Sequence, residues 1–159
     1  MAWTTAHQLT SATEPLPPPA LTLTALGRPP VDLATTDGRP AVINLWATWC
    51  APCRREMPAL AQAERAHPEV RFLLINQGEG EADVRDFLQR EGLSFDQVLL
   101  DPAMATQRHY RTVGVPVTLF LHADGRLAKA HTGEIAPERI AAEIARLKSF
   151  SAPAPQPRV

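Results

Sequence analysis

The chain has 159 residues, 45% of them hydrophobic, which is enough for one ordinary domain with its own buried core. A formal net charge of -1 supplies no basic surface for nucleic acid or for an anionic membrane, so neither is a favoured partner. Prolines cluster near the two ends, which predicts a flexible segment over residues 1–19, one domain over 20–149 and a proline-rich tail over 150–159.

The start of the chain does not predict an export signal. Residues 1–13 lack both a charged beginning and an apolar stretch, and no apolar run is long enough to span a bilayer. Taken literally, this predicts a cytoplasmic protein. The alternative is an exported domain whose signal or anchor was removed, since a proline-rich entry segment also fits a tether.

The first elements in chain order are predicted to be a short β-hairpin and a β-α-β unit. Apolar residues at 21–26 and 31–33 flank a Gly-Arg-Pro-Pro turn, which is typical of a hairpin. Near-continuous apolar runs at 41–46 and 70–75 have the length of central strands that are covered on both faces.

The helix between those two strands is expected to bury one stripe and to expose another. The side chains predicted to point inward are Cys53, Met57, Leu60 and Ala61. The side chains predicted to face solvent are Arg54, Arg55, Glu56 and Glu64.

The second half of the chain is predicted to be a helix and strand followed by an antiparallel β-β-α unit. Gly92 is placed to cap the first of these helices at its C-terminus, and Asp124-Gly125 gives a strong hairpin signal. The predicted elements are a helix at 81–91, a strand at 98–100, a short helix at 104–110, strands at 117–121 and 127–131, and a last helix at 137–147.

The only two cysteines, Cys50 and Cys53, stand three positions apart directly after the first central strand. They can close a small disulfide ring, and a helix that begins there directs its positive end at Cys50. A ring this small removes little chain entropy, and zinc would need two further ligands that no nearby Cys or His pair supplies. The pair therefore predicts dithiol redox chemistry, with no metal and no cofactor beyond a redox-active Cys50-Cys53 disulfide.

Residues 42–58, with the sequence VINLWATWCAPCRREMP, resemble the active-site stretch of the thioredoxin superfamily, and specifically of its TlpA/ResA-like exported branch. Residues 113–118, VGVPVT, resemble the loop that carries the cis-proline of that superfamily, here Pro116. The resemblance implies an α/β thioredoxin fold: a central mixed sheet flanked by helices, with an N-terminal β-hairpin and a helix-strand insertion after the β-α-β half.

The resemblance also implies where the proton of the resolving thiol goes. Asn44 occupies the position of a buried aspartate in thioredoxin, and asparagine cannot act as a base. The TlpA/ResA-like branch instead has a glutamate after the following strand, and the run Asn-Gln-Gly-Glu that ends at Glu79 resembles that element. Glu79 is therefore the predicted proton acceptor, and a solvated loop carboxylate at a helix start is the alternative.

In the implied mechanism, Cys50 attacks a partner disulfide, and the more buried Cys53 then attacks Cys50 to release the reduced partner. We expect Cys50 to lie exposed at the start of the helix. A cis peptide bond at Pro116 would offer the backbone of Val115 to an extended partner segment. The residues expected to contact substrate are Trp49, Ala51, Pro52 and Val115.

The predicted function is thiol:disulfide exchange, most specifically reduction of particular protein disulfides by a monomer. The resemblance implies a periplasmic or other extracytoplasmic location, a membrane thiol relay as electron donor, and clients such as apocytochrome c or copper-site assembly proteins. The alternatives are a general thioredoxin, a disulfide oxidant, or, from another class, a copper-binding module that uses the two thiolates.

Overall fold

The computed structural model describes residues 15–150, so the flexible segments predicted at the two ends lie mostly outside the described residues. The strands in chain order are β1 Thr22–Ala25, β2 Arg28–Asp32, β3 Ala41–Trp46, β4 Arg71–Gln77, β5 Gln97–Asp101, β6 Val117–Leu121 and β7 Leu127–Thr132. The helices are α1 Ala51–Ala66, α2 Glu81–Glu91, α3 Ala105–Tyr110 and α4 Pro137–Ser149.

The strands form one mixed sheet in the order β2-β1-β5-β4-β3-β6-β7. Strands β3, β4 and β5 run parallel, and β6 lies antiparallel to β3 on its other side. The carboxyl ends of the three parallel strands and the amino end of β6 therefore meet at one edge of the sheet. This confirms the expected α/β thioredoxin fold.

Strand β3 is buried along its whole length because apolar clusters cover both faces of the sheet. Its side chains alternate, so that Val42 and Trp46 join the cluster under α1, α2 and α4, whereas Ile43 and Leu45 join the opposite cluster with Tyr110 of α3. This alternation explains why the apolar run of β3 is nearly continuous in the sequence.

The N-terminal hairpin extends the main sheet, because β1 pairs antiparallel with both β2 and β5. Gly27 makes the turn with a φ of 65°. Strand β2 begins at Arg28, three residues earlier than the sequence predicts, and it includes Pro29 and Pro30. Two prolines are tolerated there because β2 is an edge strand.

The helices largely match their predicted ranges. Helix α2 ends at Glu91, where Gly92 adopts the expected left-handed cap with a φ of 64°. Helix α1 continues through Pro58 to Ala66. Within residues 15–150, none of the helices combines the length and the apolar character needed to cross a bilayer.

Two acidic side chains of α1 lie differently from the prediction. Glu56 was expected to face solvent, but only 3% of it is exposed. It lies three residues after Cys53 and four before Leu60, and therefore belongs to the inward stripe of the helix. Glu64, also predicted to face solvent, is half-buried, and burial raises its pKa while its carboxylate accepts a hydrogen bond from the backbone of Asp96.

Residues 15–19, which the sequence assigns to the flexible segment, contact the domain. The carbonyl of Leu16 accepts a hydrogen bond from the backbone N–H of Leu127 at 2.9 Å. The His109 ring nitrogen Nε2 lies 2.7 Å from the carbonyl of Pro17, to which it donates. Backbone contacts with the sheet thus begin before residue 20.

Candidate active site: a disulfide at the start of helix α1

Cys50 and Cys53 form a disulfide at the start of α1, with their Cα atoms 5.3 Å apart. Cys50 is the N-cap residue, and its Sγ accepts a hydrogen bond from the backbone N–H of Cys53 at 3.3 Å. Pro52 fits the first turn, where a missing N–H costs nothing. The positive end of the α1 dipole therefore points at the Cys50 sulfur, as the sequence predicts.

The two cysteines differ less in exposure than expected. Cys53 is fully buried and Cys50 is 4% exposed, so the prediction of an exposed Cys50 is wrong for the disulfide form. The disulfide folds the Cys50 sulfur back over the helix start, where both cysteines join the apolar cluster beneath α1. The neighbouring Trp49 is instead 74% exposed, as expected of a side chain that faces a partner.

The loop before β6 reaches the same edge of the sheet. The Val115–Pro116 peptide bond is cis, as predicted. Val117 pairs with Leu45 near the end of β3, so Pro116 lies beside the end of the strand that leads to the cysteines. Val115 is partly buried against the apolar cluster that contains both cysteines. Its role in binding a partner stays a prediction.

A buried carboxyl group, Glu56, lies one helical turn after Cys53. It accepts hydrogen bonds from Asn44 Nδ2 at 2.8 Å and from the backbone N–H of Ile135 at 3.0 Å. Asn44 Nδ2 also lies 3.2 Å from the hydroxyl of Thr118, which accepts from it. Burial outweighs these two donors and raises the pKa of Glu56 to about 7.

The arrangement gives Glu56 the chemistry of a proton carrier. A carboxyl group with a pKa near neutrality can take a proton from a buried thiol and return it at physiological pH. The sequence prediction misses this residue because it places Glu56 on the solvent face with Arg54 and Arg55. Its spacing from Cys53 and Leu60 is the signal that would have found it.

Glu79, the predicted proton acceptor, has different surroundings. Its carboxylate accepts hydrogen bonds from the backbone N–H of Thr48 at 2.8 Å, from Asn76 Nδ2 at 2.7 Å and from the Thr48 hydroxyl. These contacts fix the loop that leads from β3 to Trp49 and Cys50. Glu79 therefore holds Thr48 in place ahead of Cys50, and its role as a proton acceptor stays a prediction.

A mixed sheet, a Cys-X-X-Cys disulfide at a helix start and a cis-proline at the same edge together define a dithiol protein of the thioredoxin fold. The chain belongs to the Redoxin family, which matches residues 11–145, and within the thioredoxin superfamily it is TlpA/ResA-like.

Relatives support this assignment. The chain is 31% identical over 105 residues to the thiol-disulfide oxidoreductase ResA of Halalkalibacterium halodurans, in a match that covers 65% of this chain and 59% of that protein. It therefore spans about three fifths of that relative's length.

Two solved structures share the fold. One is a secreted Mycobacterium tuberculosis disulfide oxidoreductase homologous to E. coli DsbE, with 28% identity, a TM-score of 0.70, and coverage of 80% of this chain and 96% of the other. The second is StoA of Bacillus subtilis, with 21% identity, a TM-score of 0.70, and coverage of 82% and 99%. At that identity StoA supports the fold alone.

Proposed function

We propose that this chain is a thiol:disulfide oxidoreductase that exchanges electrons with protein disulfides through Cys50 and Cys53. The observation that carries the proposal is the disulfide at the start of α1, where the Cys50 sulfur accepts a hydrogen bond from the backbone N–H of Cys53. After reduction, the same N–H and the helix dipole stabilise a Cys50 thiolate, which is the nucleophile of disulfide exchange.

The exchange proceeds in two steps. The Cys50 thiolate attacks one sulfur of the partner disulfide, so that a mixed disulfide forms and the other partner sulfur leaves as a thiolate. Cys53 then loses its proton and attacks Cys50, which releases the second partner sulfur and closes the Cys50-Cys53 disulfide. Two electrons pass from the dithiol to the partner.

The deprotonation of Cys53 is the step that needs a base, since its side chain is fully buried. Glu56 is our proposed acceptor because it is buried one turn along the same helix and its pKa is about 7. Glu79, the acceptor predicted from the resemblance, is the alternative. Its three donors to the carboxylate favour a role in holding the loop before Cys50.

We further propose a direction, a compartment and partners for this exchange. The chain acts as a monomeric reductant of specific protein disulfides outside the cytoplasm, and a membrane thiol relay supplies its electrons. The clients are apocytochrome c or copper-site assembly proteins. The similarity to a secreted disulfide oxidoreductase supports the location outside the cytoplasm.

Two measurements test the proposal. Equilibration of the chain with glutathione or dithiothreitol buffers gives its reduction potential, and a value close to that of the strong oxidants would contradict a reductant. Replacement Cys53→Ser blocks the second step, so that a client stays attached to Cys50 in the non-reduced sample. The matched control is Cys50→Ser, which should trap nothing. Absence of any mixed disulfide in Cys53→Ser would contradict specific exchange.

A further inference from the structure

A network of polar side chains runs from the carboxyl ends of β4 and β5 to the loop that carries the cis-proline. The proposed exchange steps do not use this network. Gln107 of α3 forms its outer part. Its Nε2 donates to Gln77 Oε1 at 3.0 Å, and its Oε1 accepts a hydrogen bond from the backbone N–H of Gly114 at 3.2 Å. One side-chain amide thus links the end of β4 to the loop that carries Pro116.

The inner part of the network is buried and hydrogen-bonded. Gln77 Nε2 donates to the hydroxyl of Thr106 at 2.9 Å, and the carboxylate of Asp101 accepts hydrogen bonds from the backbone N–H groups of Ala105 and Thr106 at 3.0 and 2.9 Å. Asp101, Gln77 and Thr106 are all buried. Ala105 and Thr106, the first two residues of α3, are therefore fixed to the ends of β4 and β5, and Gln107 is the next residue of the helix.

The loop that Gln107 holds has few other fixed points. The backbone N–H of Thr112 donates to the Gln107 carbonyl at 3.0 Å, and the Pro116 carbonyl accepts from Gly133 at 2.9 Å. Between these points, Val113 is 92% exposed and Gly114 has a φ of 74°, a conformation that only glycine adopts freely. The bond from Gly114 to Gln107 thus fixes the backbone on the N-terminal side of Val115, as the Pro116–Gly133 bond does on its C-terminal side.

We propose that Gln107 is a positioning residue that sets how well an extended protein segment, in contrast to a small disulfide, reacts with Cys50. The inference rests on the proposed function. Loss of the Gln107 amide releases Gly114, and ordering the loop again on binding costs conformational entropy. A small disulfide that does not contact the loop escapes this cost.

The test compares two disulfides with the same leaving group. One is an eight-residue peptide with an internal cysteine joined to thionitrobenzoate, and the other is N-acetylcysteine methylamide joined to thionitrobenzoate. In each case the Cys50 thiolate attacks the cysteine sulfur of the probe, and thionitrobenzoate leaves as a coloured thiolate. The readout is the peptide rate constant divided by the single-residue rate constant.

We expect the wild-type ratio to exceed one and Gln107→Ala to lower it about 5-fold, the effect of one net hydrogen bond. The single-residue rate and the reduction potential should stay unchanged. Gln107→Glu keeps an acceptor for Gly114 but cannot donate to Gln77, so its rate ratio should fall between those of the wild type and Gln107→Ala. This variant tests the inference if Gln107→Ala fails to fold. The matched control is Gln89→Ala, because Gln89 is an exposed glutamine of α2.

Equal losses with both probes, or an unchanged ratio in Gln107→Ala, would overturn the inference. A wild-type ratio of one would also overturn it, while exchange with both probes would leave the proposed function standing. Failure of the wild-type dithiol to release thionitrobenzoate from either probe would contradict the proposed function itself.

Discussion

Glu56 and Glu79 both lie near the redox cysteines, but their surroundings favour different chemistry. Glu56 is buried and accepts hydrogen bonds from two donors, but burial outweighs them and raises its pKa to about 7. Glu79 is only partly buried and accepts three hydrogen bonds from Thr48 and Asn76. The roles of these two carboxylates can therefore be separated by experiment.

The pH dependence of the second exchange step separates them. Since the base must be ionised to accept the Cys53 proton, the rate of release from the mixed disulfide should rise with pH through about 7 in the wild type. Glu56→Gln should remove that inflection and slow release about 100-fold at pH 8. The measurement is single-turnover release at a series of pH values.

The comparison variant is Glu79→Gln, measured in the same way. If Glu79 holds the loop, its replacement leaves the inflection in place. Loss of the inflection in Glu79→Gln and its retention in Glu56→Gln would reverse our assignment and restore the acceptor predicted from the sequence.

Glu56 should also make stability depend on pH. Its pKa is about 7 in the folded protein against an ordinary value of 4.5. Between these values the folded state retains a proton that the unfolded chain releases, so the free energy of unfolding should fall as the pH rises, by on the order of 3 kcal/mol in total. Below about 4.5 and above about 7 this contribution should be constant.

Chemical denaturation of the oxidised protein at each pH measures this effect. The difference between wild type and Glu56→Gln isolates it, because Glu64 and the other acids are present in both proteins. A difference that stays flat from pH 4 to 8 would show that the Glu56 pKa is not raised.

At the scale of the elements, the sequence predicted those with strong local signals. Helix α2 was placed at its observed bounds because its apolar period and Gly92 are local features. The predicted start of β2 is too late because Pro29 and Pro30 are typical of a turn. A strand tolerates these two prolines only because β2 lies at the edge of the sheet.

The end of α2 allows a direct test of such a local signal. Gly92 has a φ of 64°, and a Cβ there would meet nothing within 4 Å, so Gly92→Ala costs only conformational strain. We expect it to lower the free energy of unfolding by about 1 kcal/mol. Gly92→Asn should cost less, since asparagine tolerates the left-handed region, and equal losses for the two variants would contradict this explanation. Denaturant titration measures both.

At the scale of the whole molecule, the sequence predicted the order of elements and the redox pair, but not the contacts between distant segments. The N-terminal hairpin is confirmed, but its sequence does not predict that β1 pairs with β5 of the main sheet. The bond between Gln77 and Gln107 joins residues 30 apart, and Glu56 contacts Ile135 across 79 residues. No local pattern specifies such contacts, since the folded sheet alone brings these residues together.

The direction of electron flow is a property of the whole fold, because it depends on which redox state the fold stabilises. A strong oxidant is more stable in its reduced form, whereas a reductant gains stability when its disulfide closes. We therefore expect a higher free energy of unfolding for the oxidised protein than for the dithiol form. Guanidinium unfolding of both forms decides this, and greater stability of the dithiol form would identify an oxidant.

The prolines of edge strand β2 have a consequence for how this sheet meets other extended chains. Backbone N–H groups of consecutive strand residues point to opposite sides, so one of Pro29 and Pro30 removes a donor from the free edge of the sheet. An unfolded chain therefore finds a poor template for strand addition at that edge.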